Sequence, residues 1–134
     1  MSNPVLVDIA EMIEAESSLA LELGTDLFIG KEPPTPDLCV TLYDTGGRGP
    51  AIMFNRSELY FYHTFQARVR SRKYQEGMEL ANSLMESLHA RGHEEWNNTS
   101  YGLIRAYTSP ASIGRDDLDR SLIVVNFEVQ RREA

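Results

Sequence analysis

Cysteine is almost absent from this sequence: Cys39 stands alone, so no intrachain disulfide can form. Lysine is scarce as well, and eleven of the thirteen basic side chains are arginine. Long apolar runs are missing. Nothing approaches the roughly 20 residues a helix needs to cross a bilayer, so no membrane is expected as a partner. The opening MSNPVLVDIAEMIEAE has no basic stretch ahead of an apolar one. The expectation is therefore a chain without a secretory signal, made and kept in a cytoplasmic environment. No internal repeat, low-complexity tract or long linker interrupts it, so a single domain over residues 1–134 is expected. Its 42% hydrophobic and 25% charged content is that of a globular protein able to bury one core.

Motifs for chemistry are lacking too. No serine lies in a GxSxG elbow, and no carboxylate pair points to acid–base work. Cys39 sits within LCVTLYD, where a small buried thiol fits a strand and no histidine is placed to activate it. The run from Asp44 to Pro50 is rich in glycine but has neither the Lys-Ser/Thr of a P-loop nor a dinucleotide-site context. It reads as a hairpin or surface loop. His89 and His93 have a helical metal spacing, yet Gly92 falls between them and no third ligand is near. His63 alternates onto an apolar strand face, as a satisfied core histidine would. Asp116, Asp117 and Asp119 lack the glycine and terminal glutamate of a calcium loop. With Arg115 and Arg120 beside them, ion pairing or subunit contact is the expected use. Asn55-Arg56-Ser57, Asn97-Asn98-Thr99 and Asn98-Thr99-Ser100 match glycosylation sequons, chance matches without a secretory route. No catalytic residue, no cofactor and no metal is expected.

What is present is a clear alternation of periods. Asn3-Pro4 offers a helix start, and Val5, Ile9, Met12, Ile13 and Ala20 recur at helical spacing up to Gly24. The prolines of residues 30–37 make an extended connector. A strand follows with Leu38, Val40 and Leu42 on one face. Residues 60–71 alternate as a long strand, with Phe61, His63, Phe65, Ala67 and Val69 on one side and Arg68 and Arg70 on the other. The period then changes. Tyr74, Met78, Ala81, Met85 and Leu88 form one stripe of a helix over 72–91, stopped by Gly92. Residues 101–107 read as a strand, 108–117 as a loop, and 122–130 as a last strand with Ile123, Val125, Phe127 and Val129 inward. The order predicts an α+β fold, two helices packed on one face of a mainly antiparallel four- to five-stranded sheet.

Charge is unevenly spread. Residues 1–44 carry nine acids and one lysine, a balance of −8; residues 45–134 carry eleven acids and twelve bases, a balance of +1, giving the net −7. Such a division suits subunits that dock head to tail through opposite patches, and equally suits a well-solvated helix face. The candidate contact residues are Arg68, Arg70 and Arg72 at the strand–helix junction, with Arg115, Asp116 and Arg120 in the late loop. A surface for tight DNA binding is disfavoured, because phosphate contacts call for a basic field.

A set of short strings stands in a particular order along the chain. It runs from Gly30 through Pro36-Asp37, to Asp44-Thr45-Gly46-Gly47, then Phe65-Gln66-Ala67-Arg68-Val69-Arg70 and Tyr74 opening a helix. Ser109-Pro110, Ile113-Gly114-Arg115-Asp116, Arg120 and Val125-Asn126-Phe127 complete it. Taken together, over about residues 5–130, these resemble a tailed-bacteriophage family of minor capsid proteins whose relatives act as tail terminators. The resemblance implies an α/β or α+β subunit that forms a ring, a homohexamer in the family, on the last ring of the tail tube. Its partners would be copies of itself, the tail tube protein and the head–tail connector protein, with double-stranded DNA passing through the channel without specific binding. It would reside at the head-proximal end of the virion tail after assembly in the host cytoplasm. The residues alone leave two alternatives open: a head-completion or connector subunit of the phage neck, and a small cytoplasmic enzymatic or ligand-binding domain.

Overall fold

The computed structural model describes residues 3–51 and 59–133. The sequon at residues 55–57 lies outside them. Helix α1, Val5–Ala15, starts behind Pro4, whose carbonyl accepts the first helical hydrogen bonds, from Val7 and Asp8. It buries Val5, Ile9, Met12 and Ile13, and it ends at Glu16 rather than at Gly24. The reason lies in Leu19 and Leu21, both buried; residues two apart on a helix point nearly opposite ways, so a turn is needed to bury both.

Strand β1, Leu27–Ile29, pairs in parallel with β2, Cys39–Ala51. The other pairings between named strands are antiparallel: β2 with β3, Leu59–Ser71; β3 with β7, Ser121–Glu133; β5, Thr99–Ala106, with β7 and with β4, Arg91–Trp96; and β6, Ala111–Arg115, with β7. The strand order is β1-β2-β3-β7-β5-β4 with β6 beside β7. Strand β3 is followed by helix α2, Tyr74–Leu88.

The expected architecture of two helices on a four- to five-stranded sheet is therefore corrected. The chain is mostly strand, and its seven-stranded sheet curls toward a half-barrel. Four features account for the difference. Strand β1 has only three residues, too few to show a period. The glycine-rich run after Asp44 is a bulged continuation of β2 rather than a loop, with register shifts at Asp44/Gly46 and Arg48/Ala51. Strand β4, RGHEEW, shows no apolar alternation and is set by its turn. Asn97 and Asn98 take φ of 51° and 63°, the left-handed values that a two-residue hairpin requires between Trp96 and Thr99. Finally, β5 and β6 run one after the other along the same edge of β7, broken at Ser109-Pro110. There the side chain of Thr108 accepts the hydrogen bond from the Asn126 backbone N–H, at 3.0 Å.

One hydrophobic cluster joins the sheet to both helices. Phe65, Ala67 and Val69 of β3 and Ile123, Val125, Phe127 and Val129 of β7 are fully buried, with the Phe65 and Phe127 rings stacked 4.9 Å apart. Ala81, Leu84 and Leu88 of α2 cover them, while Tyr74, expected in that stripe, is exposed. Helix α2 ends before His89, where Ala90 adopts φ 67° and donates its N–H to Ile104. Cys39 is buried, and burial pushes its thiol up, consistent with a structural role. Among the described residues, no helix is long and apolar enough to cross a membrane.

Candidate functional site

The proline-rich connector folds over one end of the sheet, and three arginines hold it there. Arg70 is 2% exposed; it donates to the carbonyl of Pro36 at 2.6 Å and faces Glu32 at 3.5 Å. Arg120, also buried, donates to the Pro34 carbonyl at 2.6 Å, to Asp37 at 3.3 Å and to Asp116 at 2.8 Å. Arg72, exposed, is hydrogen-bonded to the other oxygen of Asp37. The Arg72 guanidinium holds the Asp37 carboxyl below the usual carboxylate range, helped by Arg120. At Asp116 burial alone would raise the carboxyl, but N–H donors of Arg120 and Leu118 and the Arg120 guanidinium outweigh it and lower it.

Four of the six candidate contact residues, Arg70, Arg72, Asp116 and Arg120, thus meet in one intrachain network. Arg68 and Arg115 lie apart from it. Arg68 is half-buried over the Tyr43 ring at 5.2 Å, and Arg115, exposed, donates to the Asp119 carbonyl at 2.8 Å. Alternation along β3 correctly put Arg70 on the face away from the helices, but the connector covers that face at this end. Sequence reasoning missed Glu32 and Asp37 as its partners. Their signal was available: two acids among prolines in a segment with no apolar residue of its own.

A second polar network ties α1 to the β4–β5 hairpin. Asp8, fully buried, accepts hydrogen bonds from the Tyr101 hydroxyl and from Asn97, and lies 3.8 Å from Arg131. Burial, and then the bond to Asp8, push the Tyr101 hydroxyl far up, so it stays protonated. Glu11 accepts from the Trp96 indole at 2.8 Å and from Asn97 at 2.7 Å. The bond from Asn97 leads in lowering its carboxyl.

Away from the connector, the helix-free sheet face is rich in arginine and tyrosine. One cross-strand row runs Tyr60, Arg132, Ser100, Glu95; the next runs Arg48, Tyr62, Gln130, Leu103. Arg48 sits 4.1 Å over the Tyr62 ring. The first row borders an open cleft of about 480 Å³ that also takes in His93 and Glu94. Among the described residues, no group of three His, Cys, Asp or Glu side chains could hold a metal. His89 and His93 share no helix, since His93 lies in β4 and the Nδ1 of His89 accepts the Ala106 N–H.

A family model described as bacteriophage tail terminator protein matches residues 16–132. No curated protein matches the chain. A solved chain from the virion of a native gene transfer agent particle superposes with a TM-score of 0.68 at 14% identity, covering 96% of this chain and 95% of that one. That likeness shows a shared fold. Another solved chain, 16% identical over 92% of this chain and 89% of its own, reaches a TM-score of only 0.49 and carries no argument.

Proposed function

The chain belongs to the bacteriophage tail terminator family, and from that premise we propose that its copies close into a ring at the head-proximal end of the phage tail. There the ring ends growth of the tail tube and presents a surface to the head connector. The observation that carries this reading is the family match over residues 16–132, nearly the whole chain. The family is a structural one, and the chain's chemistry agrees with assembly rather than catalysis: its perturbed carboxyls are tied into arginine networks or, at Glu11, held by Trp96 and Asn97. A ring of six, as in the family, takes two different patches per subunit, because a heterologous contact repeats about the axis. The net charge of −7 suits a channel through which DNA passes without being held.

Two measurements test this. Native mass spectrometry with negative-stain imaging of the purified protein should show closed rings, and tails assembled without the protein should be of irregular length and should fail to join heads. A protein that stays monomeric while tails retain normal length would overturn the proposal. Rings with tails of normal length but heads left open would instead favour a head-completion role.

A further inference from the structure

The two sides of the subunit differ in charge in a way that the net value hides. Away from the connector that covers Arg70, the helix-free sheet face carries Arg48, Arg68, Arg105 and Arg132 against Glu95 and Glu128, a balance of +2 among the described residues. Helices α1 and α2 carry no base, and besides Asp8, which is buried against Arg131, they carry Glu11, Glu14, Glu76, Glu79 and Glu86, a balance of −5. On α2 the inward stripe is Ala81, Leu84 and Leu88. Glu79 and Glu86, seven residues apart, therefore share the outward side, and both are exposed.

The sheet face also has the make-up of a contact surface rather than of plain solvated sheet. Tyr60 and Tyr62 lie half-exposed toward one end of β3, with Arg132 opposite Tyr60, Arg48 opposite Tyr62, and Leu103, 39% exposed, and Arg105 on β5 two strands away. Large aromatic side chains with arginine are what well-packed protein interfaces favour, because they bury much area with few rotamers to freeze.

We infer that this arginine–tyrosine sheet face receives the outward acidic stripe of α2 from the next copy of the chain. The inference rests on the ring reading and names its contact. Opposite charge on two different faces also sets the geometry. Two sheet faces would bring arginine against arginine, and two helix faces glutamate against glutamate, so a two-fold pairing through either face is disfavoured. Sheet face against helix face repeats head to tail, as ring closure requires.

Charge swapping tests the contact. The sheet-reversed variant, Arg48→Glu with Arg132→Glu, and the helix-reversed variant, Glu79→Arg with Glu86→Arg, should each keep the circular dichroism of the parent. Each should also weaken association at least about tenfold by sedimentation. All four changes in one chain should restore rings, since the two faces are then complementary again. If a reversed variant does not fold, the neutral pair Arg48→Gln with Arg132→Gln should show a smaller loss in the same direction. Rings from the parent and equally from both reversed variants would overturn this contact and leave the ring reading standing. Loss in both variants without rescue by the four-fold swap would also overturn it, because the two faces would then not meet each other. A parent that never forms rings would overturn both.

Discussion

The Nη2 of Arg70 donates a hydrogen bond to the carbonyl oxygen of Pro36 at 2.6 Å, across 34 residues of sequence. Arg70 also serves the Asp37 carbonyl and Glu32, so one buried guanidinium holds three acceptors that would otherwise face the sheet unsatisfied. Arg70→Ala should therefore cost on the order of 3 kcal/mol, because Glu32 and two carbonyls lose their donor where water is largely excluded. Arg70→Lys should recover only part of this, as an ammonium lacks the fork that reaches all three. Urea unfolding measures both. A loss below about half a kcal/mol for Arg70→Ala would mean that the connector is not held by this residue.

The network around Arg70 shows where sequence reasoning reached and where it stopped. The inward stripes of β3, β7 and α2 were legible because apolar residues recur at periods of 2 and 3.6, and Phe65, Val125 and Leu88 are buried as expected. Strands β4 and β6 were not, since neither β4's charged residues nor β6's fully exposed ones alternate in polarity. The Asn97-Asn98 pair carried a signal for the β4–β5 turn, but it was read only as part of two chance sequons. The strings around Pro36-Asp37, Arg70 and Asp116 were visible one by one. That they converge depends on the register of β3 against β7 and on the path of the connector, which no local pattern encodes.

Stability should fall on acidification, with Asp37 and Asp116 contributing. Both carboxyls are lowered in the folded chain, so their contribution is complete above the unfolded value, about 4. It is lost as the pH drops through the lower folded values. The urea midpoint should hold steady from about pH 6 to 5 and decline below about pH 4. In Asp37→Asn the plateau should be lower and the acid decline shallower. An unchanged decline in that variant would show that other carboxyls carry it.

Gly47 and Gly46 are adjacent, both with positive φ, yet they should respond differently to alanine. A Cβ at Gly47 would lie 2.2 Å from the Tyr62 carbonyl oxygen, whereas one at Gly46 meets nothing within 4 Å. Gly46→Ala should cost about 1 kcal/mol for the backbone conformation alone. Gly47→Ala should cost at least about 2 kcal/mol more, because the β2–β3 ladder must open there. Equal losses would mean that the bulge relaxes to admit a side chain.

Among the arginines at the strand–helix junction and in the late loop, Arg72 and Arg115 remain turned to solvent, 63% and 46% exposed. Arg70 and Arg120 are buried under the connector, so reversing them would unfold the chain, and a loss of assembly would then say nothing about subunit contact. Arg72→Glu with Arg115→Glu avoids that ambiguity. Arg72 gives up an exposed pair with Asp37, and Arg115 an exposed pair with Asp119 together with a hydrogen bond to the Asp119 carbonyl; such exposed pairs contribute roughly 0–1 kcal/mol each. The double variant should therefore unfold within about 2 kcal/mol of the parent. If these arginines meet acids of a neighbouring subunit or of the tail tube, the reversal turns attraction into repulsion, and rings or head joining should be lost. The parent's assembly should then weaken as salt rises, over the range where the Debye length shortens from about 10 to 3 Å. A double variant that still forms rings and gives infectious particles with tails of normal length would remove both arginines from the contact, leaving the sheet face and apolar side chains to carry it.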